Sequence, residues 1–194
     1  MVRFKFLFFA ALLVGLAALA HGGFDEGKVA HDRGDYATAY KQFKPLAEQG
    51  NAKAPLFLGV MYEFGQGVNK NSAEAVKWYR KAAEQGDAKA QLFLGRMYDE
   101  GHGQTQDYAE AMKWYRKAAE QGEAEAQYHM GLMHENGTVV PQNKVLALMW
   151  FNLAAAQDDL FATERRDNLN KYMYPAEILE AQRLAREWKL KGGD

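Results

Sequence analysis

Cysteine is missing from all 194 residues. That excludes disulfides, thiol nucleophiles and thiolate metal centres. A chain without bridges must be held by its apolar core, and this length suffices for one. Proline is scarce, at four residues, so few positions break a helix. Neither sign of charge dominates, with 24 Lys and Arg against 25 Asp and Glu. No basic cluster gives an electrostatic footprint for nucleic acid. No GxSxG, HExxH or phosphate-loop pattern occurs, so the chain shows no recognisable nucleophile, zincin or nucleotide site.

One apolar run stands out, Phe6 to Ala20, and it follows Arg3 and Lys5. It is shorter than the roughly 20 residues of a spanning helix and ends in Ala18-Leu19-Ala20. This pattern predicts a signal peptide over 1–20, cut before His21, and hence an exported protein, periplasmic or secreted. If the segment is retained, it becomes a membrane tether. Removing it takes away two cations and no acid, which leaves the mature chain slightly acidic.

What the chain does have is repetition. NAKAPLFLGVMYEFGQGVNKNSAEAVKWYRKAAEQG (51–86) returns at 87–122 with 24 of its 36 positions unchanged, and loosely at 123–158. A fixed period of this size means stacked supersecondary units, each unable to bury its apolar face alone. Each copy reads as two helices, A and B. Helix A runs about Ala52–Tyr62 and Ala88–Tyr98, and helix B about Ser72–Glu84. Asn71 with Glu74, and Asp107 with Glu110, give the spacing of a capping box. Gly50, Gly86 and Gly122 stand where helix B ends and a left-handed residue is easiest. Gly59, Gly95 and Gly131 fall inside helix A, where glycine costs about 1 kcal/mol against alanine. They predict a close helix crossing. A tryptophan constant at 78, 114 and 150 is expected to fill space between units.

Residues 24–50 read as a shorter first unit, with Gln42 at the tryptophan position and Pro45 expected to kink its second helix. Pro55 falls in a first helical turn, where proline is tolerated. After 158 the period stops. Asp159–Lys171 reads as helical, and Pro175 starts a helix with Ile178, Ala181, Ala185 and Trp188 on one face.

The pattern AxAxxxLGxMYxxGxGVxxNxxxAxxWYxxAAEQG resembles the Sel1-like repeat, a relative of the tetratricopeptide repeat. The third copy departs from it, with His134 for Tyr and Val139 for a loop Gly. The resemblance implies an all-α, right-handed solenoid of about four helix-turn-helix repeats, closed by a C-terminal helical cap over 159–194. It also implies that helix A lines a concave face. The repeat surface, with no recognisable site beside it, points to a non-enzymatic protein-binding scaffold, expected as a monomer.

Positions that vary between copies on helix A are the better guide to a partner. Phe57, Phe93, Arg96, Tyr128 and His129 would line a groove for a peptide or protein segment, since aromatics and arginine anchor such interfaces. Packing of Phe57 and Phe93 against the next unit is the competing reading. No catalytic residue, metal ligand or cofactor is expected. His129 and His134 are five apart, which does not put two ligands on one helix face, and Asp99 and Glu100 read as solvated loop acids. Two alternatives remain open, an envelope hydrolase or β-lactam-binding protein, and a membrane-tethered assembly factor.

Overall fold

The computed structural model describes residues 23–192, and side chains as far as 189. The expected signal peptide lies outside the described residues. The regular structure of those residues is all helical, with no strand among them. The chain divides into two compact units, the first ending at Asp87 and the second starting at Ala88.

The first unit holds α1 (23–32), α2 (Tyr36–Glu48), α3 (Ala54–Phe64) and α4 (Ser72–Glu84). Gly34, at φ +79°, turns the chain between α1 and α2. Asp35 then caps α2 by accepting from the Thr38 amide at 3.2 Å. Pro45 lies inside α2, yet the helix continues to Glu48, so the expected kink does not end it. Helix A of the first full copy begins at Ala54 instead of Ala52. The Asn51 side chain takes the Lys53 and Ala54 amides at 2.9 and 3.0 Å, which holds 52–53 outside the helix. Pro55 follows in the first turn. The core gathers Phe43, Leu58 and Met61 from α2 and α3, with Ala39, Ala47 and Ala54 as close-approach positions.

The second unit holds α5 (Ala88–Glu100), α6 (Tyr108–Glu120), α7 (Ala124–Asn136), α8 (Lys144–Ala155), α9 (Leu160–Asn170) and α10 (Pro175–Gly192). Its helices pair in order, α5 on α6 and α7 on α8, with α6 against α7. Both α9 and α10 close on α8. The predicted cap face is borne out. Ala181 and Ala185 are buried, and Trp188 meets Trp150 edge-on at 4.6 Å between centroids.

Local signals place the helix starts. Asn71, Asp107 and Asn143 accept the amides of Glu74, Glu110 and Leu146 at 3.0–3.1 Å. Only half of the capping box forms in these contacts. Glu74 and Glu110 turn instead to Lys77 and Lys113, at 2.5 and 3.0 Å. Gly50, Gly86 and Gly122 adopt φ of +91°, +92° and +92° with open space around them, so the need there is conformational.

The glycines inside helix A mark the crossings. A Cβ on Gly59 would lie 2.4 Å from the Tyr79 ring, on Gly95 2.7 Å from Tyr115, and on Gly131 2.4 Å from Phe151. The filler at each crossing is therefore the residue after the constant tryptophan. Tyr79, Tyr115 and Phe151 are fully buried. Of the tryptophans, Trp114 and Trp150 are buried and Trp78 is only half-buried.

His134 stands where the other copies have Tyr62 and Tyr98, and it is 7% exposed with its Nδ1 unpartnered. Burial, then the nearby Arg116 charge, lower its pKa. Burial likewise lowers that of His129. Both bases are thus harder to protonate folded than unfolded. The unfolded chain takes up protons first as pH falls through the ordinary histidine value near 6.5, so stability is full above that pH and drops below it. The slope is at most about 1.4 kcal/mol per pH unit for each histidine. Melting temperature is expected to fall from pH 7.5 to 5.5, and His134→Tyr, which restores the repeat residue, should flatten part of that fall. A midpoint unchanged across this range contradicts the assignment.

Candidate functional site

Four of the five residues expected to bind a partner come together in the second unit. Phe93 and Arg96 are one turn apart on α5, with the Arg96 guanidinium 5.1 Å from the Phe93 ring centre. Tyr128 and His129 are neighbours on α7, their rings 5.6 Å apart. All four are half-buried. Phe93 and Tyr128 have their inner sides against the unit's core, which leaves only part of each ring for a partner.

Phe57 has a different setting. It belongs to the first unit, where it stacks on Phe43 at 4.7 Å and meets Phe24 and His31 edge-on at 5.6 and 5.5 Å. It is part of an aromatic core built by α1, α2 and α3, so it packs on the preceding helical pair and not on the next repeat, as the packing reading had it.

Asp99 does not stand in the loop expected for it. It and Glu100 lie in the last turn of α5, not in a loop. Asp99 accepts a hydrogen bond from Tyr115 OH at 3.2 Å and lies 4.0 Å from His129 Nδ1. The Tyr115 and His129 rings stack, with centroids 4.5 Å apart and planes 5° from parallel. Burial, with Asp99 beside it, pushes the Tyr115 hydroxyl up, so it stays a donor. Burial wins over the pull of Asp99 on His129, which stays neutral. Arg96, acting through its charge, pushes the same way on His129. The result is a fixed polar patch floored by Tyr115: a carboxylate, a neutral imidazole and a guanidinium.

The same acid–tyrosine link recurs at a fixed sequence offset. Tyr79 donates to Glu63 at 2.5 Å, sixteen residues back, as Tyr115 does to Asp99. In the third copy Phe151 cannot donate, and Glu135 instead lies 3.5 Å from Arg165 of α9. The cap thus supplies the partner that the repeat no longer carries.

Phe161, at the start of α9, extends the aromatic side of the patch. It is 68% exposed and lies 6.1 Å from Tyr128. It falls after the period ends, where no comparison between copies reaches it. Leu160, 79% exposed, adjoins it. Among the described residues no three His, Asp or Glu side chains cluster as metal ligands, and no helix is long and apolar enough to cross a membrane.

A succession of paired helices of this kind defines an α-helical repeat protein. The Sel1 repeat profile matches residues 52–87, 88–123 and 124–159, more than half of the chain, so the protein belongs to the Sel1 repeat family. A Sel1 repeat protein from Oxalobacter formigenes is similar in structure, with TM-score 0.71 and 34% identity over 86% of this chain and 69% of that one. A protective antigen present in uropathogenic Escherichia coli strains, displaying an SLR fold, superposes with TM-score 0.75 and 32% identity. That match covers 90% of this chain but only 38% of the antigen. No curated protein is similar enough to count as a relative.

Proposed function

We propose that this chain is a non-enzymatic binding scaffold, exported in a bacterium, that takes an extended protein segment on the face built by α5, α7 and the start of α9. Sel1 repeat proteins are in general protein-interaction modules. The observation that carries the reading here is the convergence of Phe93, Arg96, Tyr128 and His129, with exposed Phe161 beside them. These residue types anchor protein interfaces, and a rigid repeat backbone spares the ordering cost on its own side. Export is supported by the basic start and apolar run of residues 3–20.

Two measurements test this. Selection of peptides from a displayed library on the mature protein should yield binders, and Arg96→Glu with Tyr128→Ala should weaken them at least tenfold while circular dichroism stays unchanged. Equal binding by the variant overturns the assignment of the face. Mass spectrometry of the N-terminus should read His21, whereas an intact Met1 overturns cleavage and favours a tether.

A further inference from the structure

The three copies also differ at one position of helix B, residues 81, 117 and 153. In the first unit Lys81 of α4 donates to the Ala47 carbonyl at the end of α2, with its ammonium 5.4 Å from the Trp78 ring. One period later Lys117 lies 4.4 Å from the Trp114 ring. One period further the residue is Leu153, and the carbonyl in register with Ala47 is that of Ala119. Here, in the second unit, a cavity of about 270 Å³ opens, with Ala119 and Leu153 in its lining. The space lies at the repeat position that holds an ammonium elsewhere in the chain.

The rest of the lining suits a cation with an alkyl stem. Gln127 is 4% exposed and donates its Nε2 to the Ala119 carbonyl at 3.2 Å. Gln157 then donates its Nε2 to Gln127 Oε1 at 2.9 Å. A carbonyl only accepts, so this relay fixes the orientation of both amides. Gln157 Oε1, an acceptor, is left with no protein partner among the described residues. Gln121 also turns its Nε2 away, to Gln91 Oε1 at 2.8 Å. The last carbonyls of α6 present the negative end of its dipole, and the Glu120 carboxylate stands at the exposed rim. The Trp188 indole forms an aromatic wall, a surface that attracts ammonium groups, and Leu153 gives the stem an apolar floor.

We propose that this cavity binds an alkylammonium group, and specifically a lysine side chain of a protein partner. It shares no residue with the α5–α7 face, so the two readings stand or fall separately. Lys189 lies on the same rim, exposed, with no hydrogen bond or ion pair among the described residues, and acts as the competing cation.

The test is an amide and indole NMR titration of the mature protein with acetyl-Gly-Lys-Gly-amide. Its norleucine counterpart, which lacks the ammonium, is the control, and cadaverine represents a free amine. The lysine peptide should shift the Trp188 indole and Gln157 side-chain signals, and the norleucine peptide should not. Leu153→Lys supplies the ammonium from within and should abolish the shifts. Should that buried substitution disturb the fold, Gln157→Leu on the exposed rim should weaken binding at least fivefold. Lys189→Ala should tighten it two- to threefold. Equal response to norleucine, or binding unchanged by Gln157→Leu, overturns the site. Cadaverine bound more tightly than the peptide overturns the protein source and leaves a small-amine site.

Discussion

Gly131→Ala should destabilise the third repeat, although alanine is the better helix former. The added methyl would come within 2.4 Å of Phe151 Cε1, a ring that is fully buried. Alanine gains about 1 kcal/mol of helix propensity over glycine, which works against the effect. Overpacking a filled core costs about 1–3 kcal/mol, and this contact is near the hard limit with a ring that cannot swing outward. A valine at 131 removes the propensity gain and adds two further methyl groups, so its loss should exceed that of alanine. Phe151→Ala alone should cost about 3–5 kcal/mol through its cavity. The double variant Gly131→Ala/Phe151→Ala is the informative one, because the new methyl then fills part of the hole. Chemical denaturation should therefore show a total well below the sum of the single losses. Strict additivity would mean that the two residues do not meet.

Tyr115→Ala should be the most damaging single change at the candidate site. The ring is fully buried, covers Gly95, and forms the floor under His129 at 4.5 Å. A loss of about 3–5 kcal/mol follows from the cavity alone. Loss of the hydrogen bond to Asp99 adds about 1 kcal/mol. Binding should fall with it, since Asp99 and His129 lose the ring that positions both. Tyr115→Phe separates the two effects. It keeps the ring, as the third copy does naturally with Phe151, and removes only the hydroxyl. Its stability loss should be near 1 kcal/mol, read from denaturation midpoints. A loss as large as that of Tyr115→Ala would place the weight on the hydroxyl instead.

The repeat register made much of this fold legible. Asn71, Asp107 and Gly122 mark helix ends by chemistry that acts within four residues, and a linear chain displays such signals directly. Gly59, Gly95 and Gly131 marked the crossings because glycine inside a helix needs a reason. The start of α3 was misread because Asn51 competes for the local amides, and propensity alone does not show that. The site was only partly legible. Variation between copies pointed to Arg96, Tyr128 and His129. It also pointed to Phe57, whose stacking on Phe43 depends on how α1 and α2 fold back. Asp99 was missed because its partner Tyr115 is sixteen residues away, across a helical hairpin. The exchange of Tyr for Phe at 151 alongside Glu135 was the available clue. Phe161 carried no periodic signal at all.

Occupation of the α5–α7 face by a partner is open to direct measurement. The direct measurement is side-chain NMR of the mature protein, titrated with a selected peptide, following Phe93, Arg96, Tyr128, His129 and Phe161. These five are expected to shift together, with the Tyr115 ring following through its stack on His129. Shifts confined to the outer residues of α6, such as Lys113 and Arg116, or to the loops between helices A and B, would contradict it.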